Sequence, residues 1–258
     1  MFKTFDDTGL YIKTLIVTND VVELKDEEFR NCESLIKVTL PNTLQRIGDF
    51  CFQGTKLTTI KLPDSLIYLG NGAFSLCPLE HVVIPNKLAI IGYCTFSNTK
   101  IKNIIIPDNI KILKRACFYN SLLESITLPK HLENIGERAF AKTKLTNITI
   151  PPGPVILDKT FIDCKSLKNA TLPNTIIEMY STFMNCTSLE EIIIPENVVK
   201  IKKWCFEGCT SLMKLTLPKS LKELDENCFN DCCNLKMIVL PQLFDKNVIP
   251  KKLRHLCS

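Results

Sequence analysis

The sequence predicts an α/β solenoid, one elongated domain of about ten stacked turns with a parallel β-sheet along one side. The first observation is a proline that recurs at a nearly fixed spacing, 22 residues seven times and 23 residues twice: Pro41, Pro63, Pro85, Pro107, Pro129, Pro151, Pro173, Pro195, Pro218 and Pro241. The second is a phenylalanine that opens each of ten units, and the third is a short alternating aliphatic stretch before each proline. A period of this length is typical of repeats that bury their apolar faces against their neighbours.

The stretch before each proline predicts a short strand with one face buried. In residues 189–195, Leu189, Ile192 and Ile194 are the aliphatic positions, and Pro195 follows them. Alternation of inward and outward residues rich in Ile, Thr and Val is the strand pattern, and proline ends the strand because it has no N–H for the next ladder bond. A second aliphatic pair after the proline, such as Leu44 and Ile47, returns the chain across the core.

The repeated phenylalanines indicate a buried column: Phe29, Phe52, Phe74, Phe96, Phe118, Phe140, Phe161, Phe183, Phe206 and Phe229. Two residues after the phenylalanine, eight of the ten units have Asn, Asp or Gly, the residues that tolerate positive φ, and Leu76 and Lys142 are the exceptions. This pattern predicts a short helical turn around each phenylalanine that stops two residues later.

The repeat pattern is degenerate at both ends of the chain and is altered at one internal position. We expect residues 1–28 to form a degenerate N-terminal capping repeat, residues 29–241 to form ten repeats, and residues 242–258 to form a C-terminal cap, because terminal repeats of solenoids are atypical. At residues 151–154 the sequence Pro-Pro-Gly-Pro replaces the usual return segment. Three prolines cannot donate to a ladder, so an interrupted second strand and a bend are expected there.

The amino-acid composition and the net charge limit the classes of protein to which the chain can belong. The chain has 258 residues, 45% hydrophobic residues and a formal net charge of +5 spread through the repeats. These features predict a soluble protein with no membrane insertion and with no nucleic acid as partner. The N-terminal residues lack the apolar stretch of a secretory signal, which favours a cytoplasmic location.

Ten of the thirteen cysteines occupy two repeated positions beside the phenylalanine: Cys32, Cys77, Cys164, Cys186, Cys209 and Cys232 three residues after it, and Cys51, Cys117, Cys205 and Cys228 directly before it. Other repeats have Ser, Thr or Ala there, so we interpret these cysteines as small buried side chains in a reducing compartment. Zinc ligation by the cysteines around residues 205–209 and 228–233 is the alternative, but no histidine lies nearby, and we expect no metal and no cofactor.

Residues 205–224 carry a family resemblance. Cys205 and Phe206, the leucines at 212, 215 and 217, Pro218, and the leucines at 221 and 224 together resemble the BspA-type leucine-rich repeat, also called the Treponema pallidum type. The resemblance covers almost the whole chain. It implies a curved right-handed leucine-rich-repeat superhelix with the parallel sheet on its concave face, and a role in binding other macromolecules, including adhesion at the surface of bacteria and protists.

No catalytic constellation is visible, so an enzyme with a small-molecule substrate is not expected. The three histidines, His81, His131 and His255, occupy unrelated repeat positions, and no phosphate-binding loop or nucleophile elbow is present. The outward strand positions form columns when the turns stack, and the concave surface of a solenoid is its usual binding face. The candidate binding residues are Lys61, His81, Val83, Asn103, Ile105, Ser125, Thr127, Asn147, Thr149, Asn169, Thr171, Glu191 and Ile193.

Two functions remain open. The repeat pattern and the free thiols favour a cytoplasmic scaffold that binds a protein partner on its concave face. The family resemblance also implies a cell-surface adhesin for host or matrix proteins, which would have to be exported without a classical signal. Threonine and isoleucine are also good strand residues in their own right, so a purely structural role for the same columns is a third interpretation.

Overall fold

The computed structural model describes residues 2–5, 12–242 and 244–257, and it divides the chain into two compact units, Met1–Pro129 and Lys130–Ser258. Each unit is a stack of turns in which short parallel strands repeat at the spacing of the prolines, so the predicted solenoid fold is confirmed. We call the strands that precede the repeat proline front strands and those that follow it return strands. No helix among the described residues is long and apolar enough to span a membrane.

In the first unit β1 (Phe2–Phe5) is an additional N-terminal strand. The front strands are β2 (Thr14–Val17), which is followed by Thr18 in place of proline, β4 (Lys37–Thr39), β6 (Thr59–Ile60), β8 (His81–Val82), β10 (Asn103–Ile105) and β12 (Ser125–Thr127). The return strands are β3 (Glu23–Leu24), β5 (Arg46–Ile47), β7 (Tyr68–Leu69), β9 (Ile90–Ile91) and β11 (Ile112–Leu113). The pairing β1–β2 is antiparallel, whereas β2–β4, β6–β8, β10–β12, β3–β5–β7 and β9–β11 are parallel.

In the second unit the front strands are β14 (Asn147–Thr149), β16 (Asn169–Thr171), β18 (Glu191–Ile193), β20 (Lys214–Thr216) and β22 (Met237–Val239). The return strands are β13 (Asn134–Ile135), β15 (Ile156–Asp158), β17 (Glu178–Tyr180), β19 (Lys200–Ile201) and β21 (Glu223–Leu224). Parallel pairing joins β14 to β16, β18 to β20 to β22, and β15 to β17 to β19 to β21. Two 3₁₀ helices follow, Lys246–Val248 and Lys251–Leu256.

The phenylalanines form the predicted buried column in each unit. Successive rings from Phe29 to Phe118 have centroids 5.5 to 5.9 Å apart and planes within 14° of parallel. From Phe140 to Phe229 the centroid distances are 5.5 to 5.7 Å. Near-parallel rings at these centroid distances lie in the range that aromatic pairs favour.

The chain around each phenylalanine is a hydrogen-bonded turn, not the predicted helical turn. In nine of the ten repeats the residues two before and two after the ring both have positive φ, as Ala116 (57°) and Asn120 (53°) do around Phe118; at Phe229 only Asp231 does. Every second N–H therefore points to the next turn: Phe96 N donates to Cys117 O over 2.8 Å and Asn98 N to Tyr119 O over 2.8 Å. Donors that a helix would use internally join neighbouring turns instead.

The strand predicted to be interrupted after residues 151–154 is intact. The prolines precede β15, which has three residues and pairs with β17 from Ile156↔Glu178 to Asp158↔Tyr180. No described pairing joins β15 to the preceding return strand β13, although Arg138 N still donates to Asp158 O over 3.2 Å. The prolines therefore interrupt the ladder between two turns and leave the strand itself in place, because none of them occupies a strand position.

Candidate functional site

The front strands place alternate side chains in the core and in solvent. Ile104 and Ile148, for example, are buried, while the residues on either side of each are exposed. All thirteen residues predicted for binding are exposed in the structure. The first unit carries Lys61, His81, Val83, Asn103, Ile105, Ser125 and Thr127, and the second carries Asn147, Thr149, Asn169, Thr171, Glu191 and Ile193.

In the first unit the exposed face of the front strands combines polar pairs with two exposed aliphatic side chains. Asn103 lies opposite Ser125 in the ladder, and Ser125 Oγ donates to Asn103 Oδ1 over 2.6 Å. Val83 is 81% exposed and Ile105 is 72% exposed. These two residues occupy the same position in consecutive repeats, so the face offers apolar contact beside fixed hydrogen-bonding groups.

In the second unit an amide ladder runs along the corresponding face. Asn147 lies opposite Asn169, whose Nδ2 donates to Asn147 Oδ1 over 2.9 Å, and Thr149 lies opposite Thr171. Side chains that bond to each other across strands are held in one orientation. The next front strand carries Glu191 and Ile193, and Ile193 is 81% exposed.

A groove of about 350 Å³ lies between β16 and β18 in the second unit. Four of the predicted residues line it, Asn169, Thr171, Glu191 and Ile193, together with inward-facing and loop residues: Ala170, Leu172, Asn174, Ile192, Ile194, Pro195 and Glu196. Among the described residues no strand pairing joins β16 to β18, although each is paired on its other side. The groove therefore coincides with a gap in the ladder.

The pattern did not predict Asn174 and Glu196 as lining residues, because they lie beyond the prolines and outside the strand columns. One signal was present at Ala170, the weak member of its aliphatic column. Ile148, Ile192 and Leu215 are buried at this position, and Val38, Val82, Ile126 and Ala170 are half-buried, but only Ala170 lacks a branched aliphatic side chain. A smaller side chain at this position leaves more open space at the surface, and Ala170 lines the groove.

The return strands carry a second polar surface whose charges are paired. In the first unit Arg46 bonds to Glu23 and Asp26, both at 2.9 Å, and stacks over the Tyr68 ring. In the second unit Glu178 accepts from Lys200 at 3.2 Å and from Lys202 at 2.9 Å, and these bonds lower the pKa of its carboxyl. Such exposed networks mainly join turns, and each pair contributes little on its own.

The ten repeated cysteines are free thiols beside the phenylalanine column, and all of them are buried except Cys32 and Cys232, which are half-buried. Cys77, Cys164, Cys186 and Cys209 each donate from Sγ to the phenylalanine carbonyl of the preceding turn, as Cys186 does to Phe161 O over 3.1 Å. Burial raises the pKa of Cys205 to about 12, so this thiol is neutral and unreactive. Within the described residues, no group of three or more His, Cys, Asp or Glu could hold a metal ion.

The histidine on the front face has no hydrogen bond or ion pair to a side chain that the structure describes. His81 begins β8 and is exposed, and its ladder partner is Thr59. A general base needs a reacting group and an orienting partner within hydrogen-bond distance. The chemistry that this face offers is hydrogen bonding, charge and apolar contact.

Comparison with known proteins identifies the repeat. The profile described as "BspA type Leucine rich repeat region (6 copies)" matches residues 2–122, 45–155, 68–182 and 154–249. A search of curated proteins gave no significant match.

Solved structures share the fold. A leucine-rich repeat protein from Bacteroides ovatus is 26% identical with a TM-score of 0.58, and the alignment covers 96% of this chain and 82% of that one. The pneumococcal vaccine antigen PcpA is 19% identical with a TM-score of 0.62, covering 98% and 80%. A leucine-rich cell surface protein from Faecalibacterium prausnitzii is 22% identical with a TM-score of 0.53, covering 96% and 82%.

Proposed function

Because the chain belongs to the family of BspA-type leucine-rich repeat proteins, we propose that it is a non-enzymatic scaffold that binds a protein partner on the exposed face of its front strands. Proteins built of such repeats commonly serve as interaction scaffolds, since each turn adds outward side chains without disturbing the core. The fold alone does not define a function, so the proposal depends on the face itself.

The observation that carries the proposal is the exposure of Val83, directly after β8, and of Ile105 and Ile193 among the mainly polar outward residues of the front face. Each projects from a backbone whose inner side chains are buried, so its position is held by the core. Aliphatic side chains held in place lose little entropy on binding, and apolar groups beside satisfied polar ones are typical of protein interfaces. A partner that covered these residues would remove apolar surface from water.

The test is affinity capture from an extract of the source cell with two matched double variants. Val83→Glu with Ile105→Glu places charges on the front face of the first unit, and we expect it to lose at least one partner that the wild type captures. Val22→Glu with Ile67→Glu makes the same change at two residues that are exposed outside the front face, so it is the control. Circular dichroism and thermal unfolding establish that both variants fold.

Identical partner sets for the wild type and the front-face variant would remove the proposal. Loss of the same partners in the control variant would also contradict it, because a general effect of added charge would then explain the result.

We further propose that the scaffold acts in the cytoplasm, which the free thiols support. Cys233 is the exposed thiol that can report location. A membrane-impermeant maleimide should label it in permeabilised cells and not in intact cells, with Cys233→Ser as the control for specificity. Labelling in intact cells would favour the surface adhesin instead.

A further inference from the structure

We propose that the groove between β16 and β18 binds an arginine side chain of the protein partner, with Ile193 contacting an apolar neighbour of that arginine. The inference rests on the proposed function and adds the chemistry of one contact. It starts from the groove itself, which has a volume of about 350 Å³ and is lined by residues 169–172, 174 and 191–196.

The opening is built into the repeat. Pairing runs from β14 to β16 and from β18 to β22, and it is interrupted between these two groups. At the gap Ala170 and Leu172 are half-buried, whereas the residues at the same two positions in the next turn, Ile192 and Ile194, are buried. The groove is therefore open without a partner and has the buried Ile192 and Ile194 in its lining.

The lining offers acceptors and negative charge. Glu191 and Glu196 both line the groove, and no Lys or Arg does. Neither carboxylate forms an ion pair with any residue that the structure describes, unlike Glu178 on the return strands, which two lysines neutralise. Lys214 lies opposite Glu191 in the ladder but forms no ion pair with it in the described structure.

One amide adds to this acceptor surface. Asn169 uses its Nδ2 to donate to Asn147 Oδ1 over 2.9 Å, and that bond fixes the orientation of the Asn169 side chain. Asn169 Oδ1 is the acceptor of the same exposed amide and is available to a donor in the groove.

A guanidinium group matches this surface. It carries five N–H donors in a planar fork and a permanent positive charge, and it bonds to carboxylates more strongly than neutral donors do. Ile193, 81% exposed at the wall of the groove, provides apolar contact for a residue next to the arginine. Another groove, about 490 Å³ between residues 16–19 and 39–42 in the first unit, has no charged residue in its lining and lacks this complementarity.

The test is an NMR titration of the ¹⁵N-labelled full chain with two short peptides. The first is acetyl-Leu-Arg-Leu-amide, and the second has citrulline in place of arginine, which keeps the shape and removes the charge. We expect the arginine peptide to shift the amide resonances of residues 169–174 and 191–196, and the citrulline peptide to leave them unchanged at the same concentration.

Two variants locate the contact. Glu191→Gln with Glu196→Gln should weaken binding of the arginine peptide about tenfold, because each charged hydrogen bond to the guanidinium is lost. Glu190→Gln with Glu226→Gln removes the same net charge at two exposed residues outside the lining, and it should bind as the wild type does.

Three results would overturn the inference: no shift at the groove with the arginine peptide, equal shifts with citrulline, or equal weakening in both double variants. None of them bears on the scaffold proposal, because the titration uses no captured partner and the capture variants Val83→Glu and Ile105→Glu lie in the first unit. Conversely, unchanged capture by those variants would leave the peptide titration valid.

Discussion

The repeat position three residues after the phenylalanine holds a thiol in some turns and a hydroxyl in others, in a space of similar size. Cys77 Sγ donates to Phe52 O in the preceding turn over 2.9 Å, whereas Ser121 Oγ donates to Phe118 O in its own turn over 2.9 Å. The thiol therefore links two turns and the hydroxyl links two parts of one turn. Interchange of Cys with Ser and Thr in the repeat accordingly preserves polarity as well as volume.

Replacement of Cys186 by alanine should lower the free energy of unfolding by about 1–3 kcal/mol, because Phe161 O loses its thiol donor and a small cavity forms. Chemical denaturation under reducing conditions measures the change. Cys233→Ala is the matched control, since Cys233 is exposed and its Sγ is 3.9 Å from Thr210 O. We expect the control to stay within about 0.5 kcal/mol of the wild type. Equal losses in both variants would show that the buried thiol bond does not stabilise the fold.

At the scale of one element, β15 depends on a close approach of the chain just before it. Gly153 has a φ of 144°, and a Cβ atom there would lie 1.9 Å from Leu132 O. Its N–H donates to Thr175 Oγ1 over 3.1 Å, and Thr175 Oγ1 donates in turn to Pro154 O over 2.8 Å. Gly153 and Thr175 therefore allow the segment with three prolines to lead into β15, which still pairs with β17.

Gly153→Ala should cost at least about 2 kcal/mol of stability, because this φ is strained for an L side chain and the Cβ meets backbone. Urea denaturation measures it. Pro152→Ala changes the neighbouring exposed residue and should cost no more than about 1 kcal/mol, through the unfolded state. A Gly153→Ala variant as stable as the Pro152→Ala variant would be incompatible with the close approach.

Across the whole molecule the buried thiols couple stability to pH. Burial raises the pKa of Cys51 to about 12, that of Cys164 to about 11 and that of Cys205 to about 12, from an ordinary value of 9.0. The unfolded chain releases these protons at lower pH than the folded chain does. The thiols therefore contribute full stability below pH 9, and the contribution is lost as pH rises from about 9 towards 11 or 12.

The free energy of unfolding should be nearly constant between pH 7 and 8 and should fall between pH 9 and 10. Each buried thiol contributes a slope of about 1.4 kcal/mol per pH unit where it is ionised only in the unfolded chain. Urea titrations with excess reductant at each pH measure the profile. A variant with Cys51→Ala and Cys205→Ala should have a shallower slope of the free energy of unfolding against pH. A slope identical to that of the wild type would contradict this explanation.

Much of the fold followed from burial patterns that are local to each repeat. The columns at Phe96, Leu189 and Ile192 are apolar because they face the core in every turn, so their spacing alone predicted the solenoid and the exposed front face. The candidate residues were found for the same reason, since outward positions alternate with inward ones. Their binding role stays a prediction, because exposure does not identify a partner.

The sequence alone therefore determined the period, the inward columns and the exposure of Val83 and Ile193, because each depends on alternation within one turn. Only the tertiary structure decided the positive φ of Phe50 and Trp204, residues with no preference for that conformation. Contact with neighbouring turns imposes it, since alternate N–H groups must reach carbonyls one turn away. The gap between β16 and β18 has the same origin, because strand pairing is a property of two turns together.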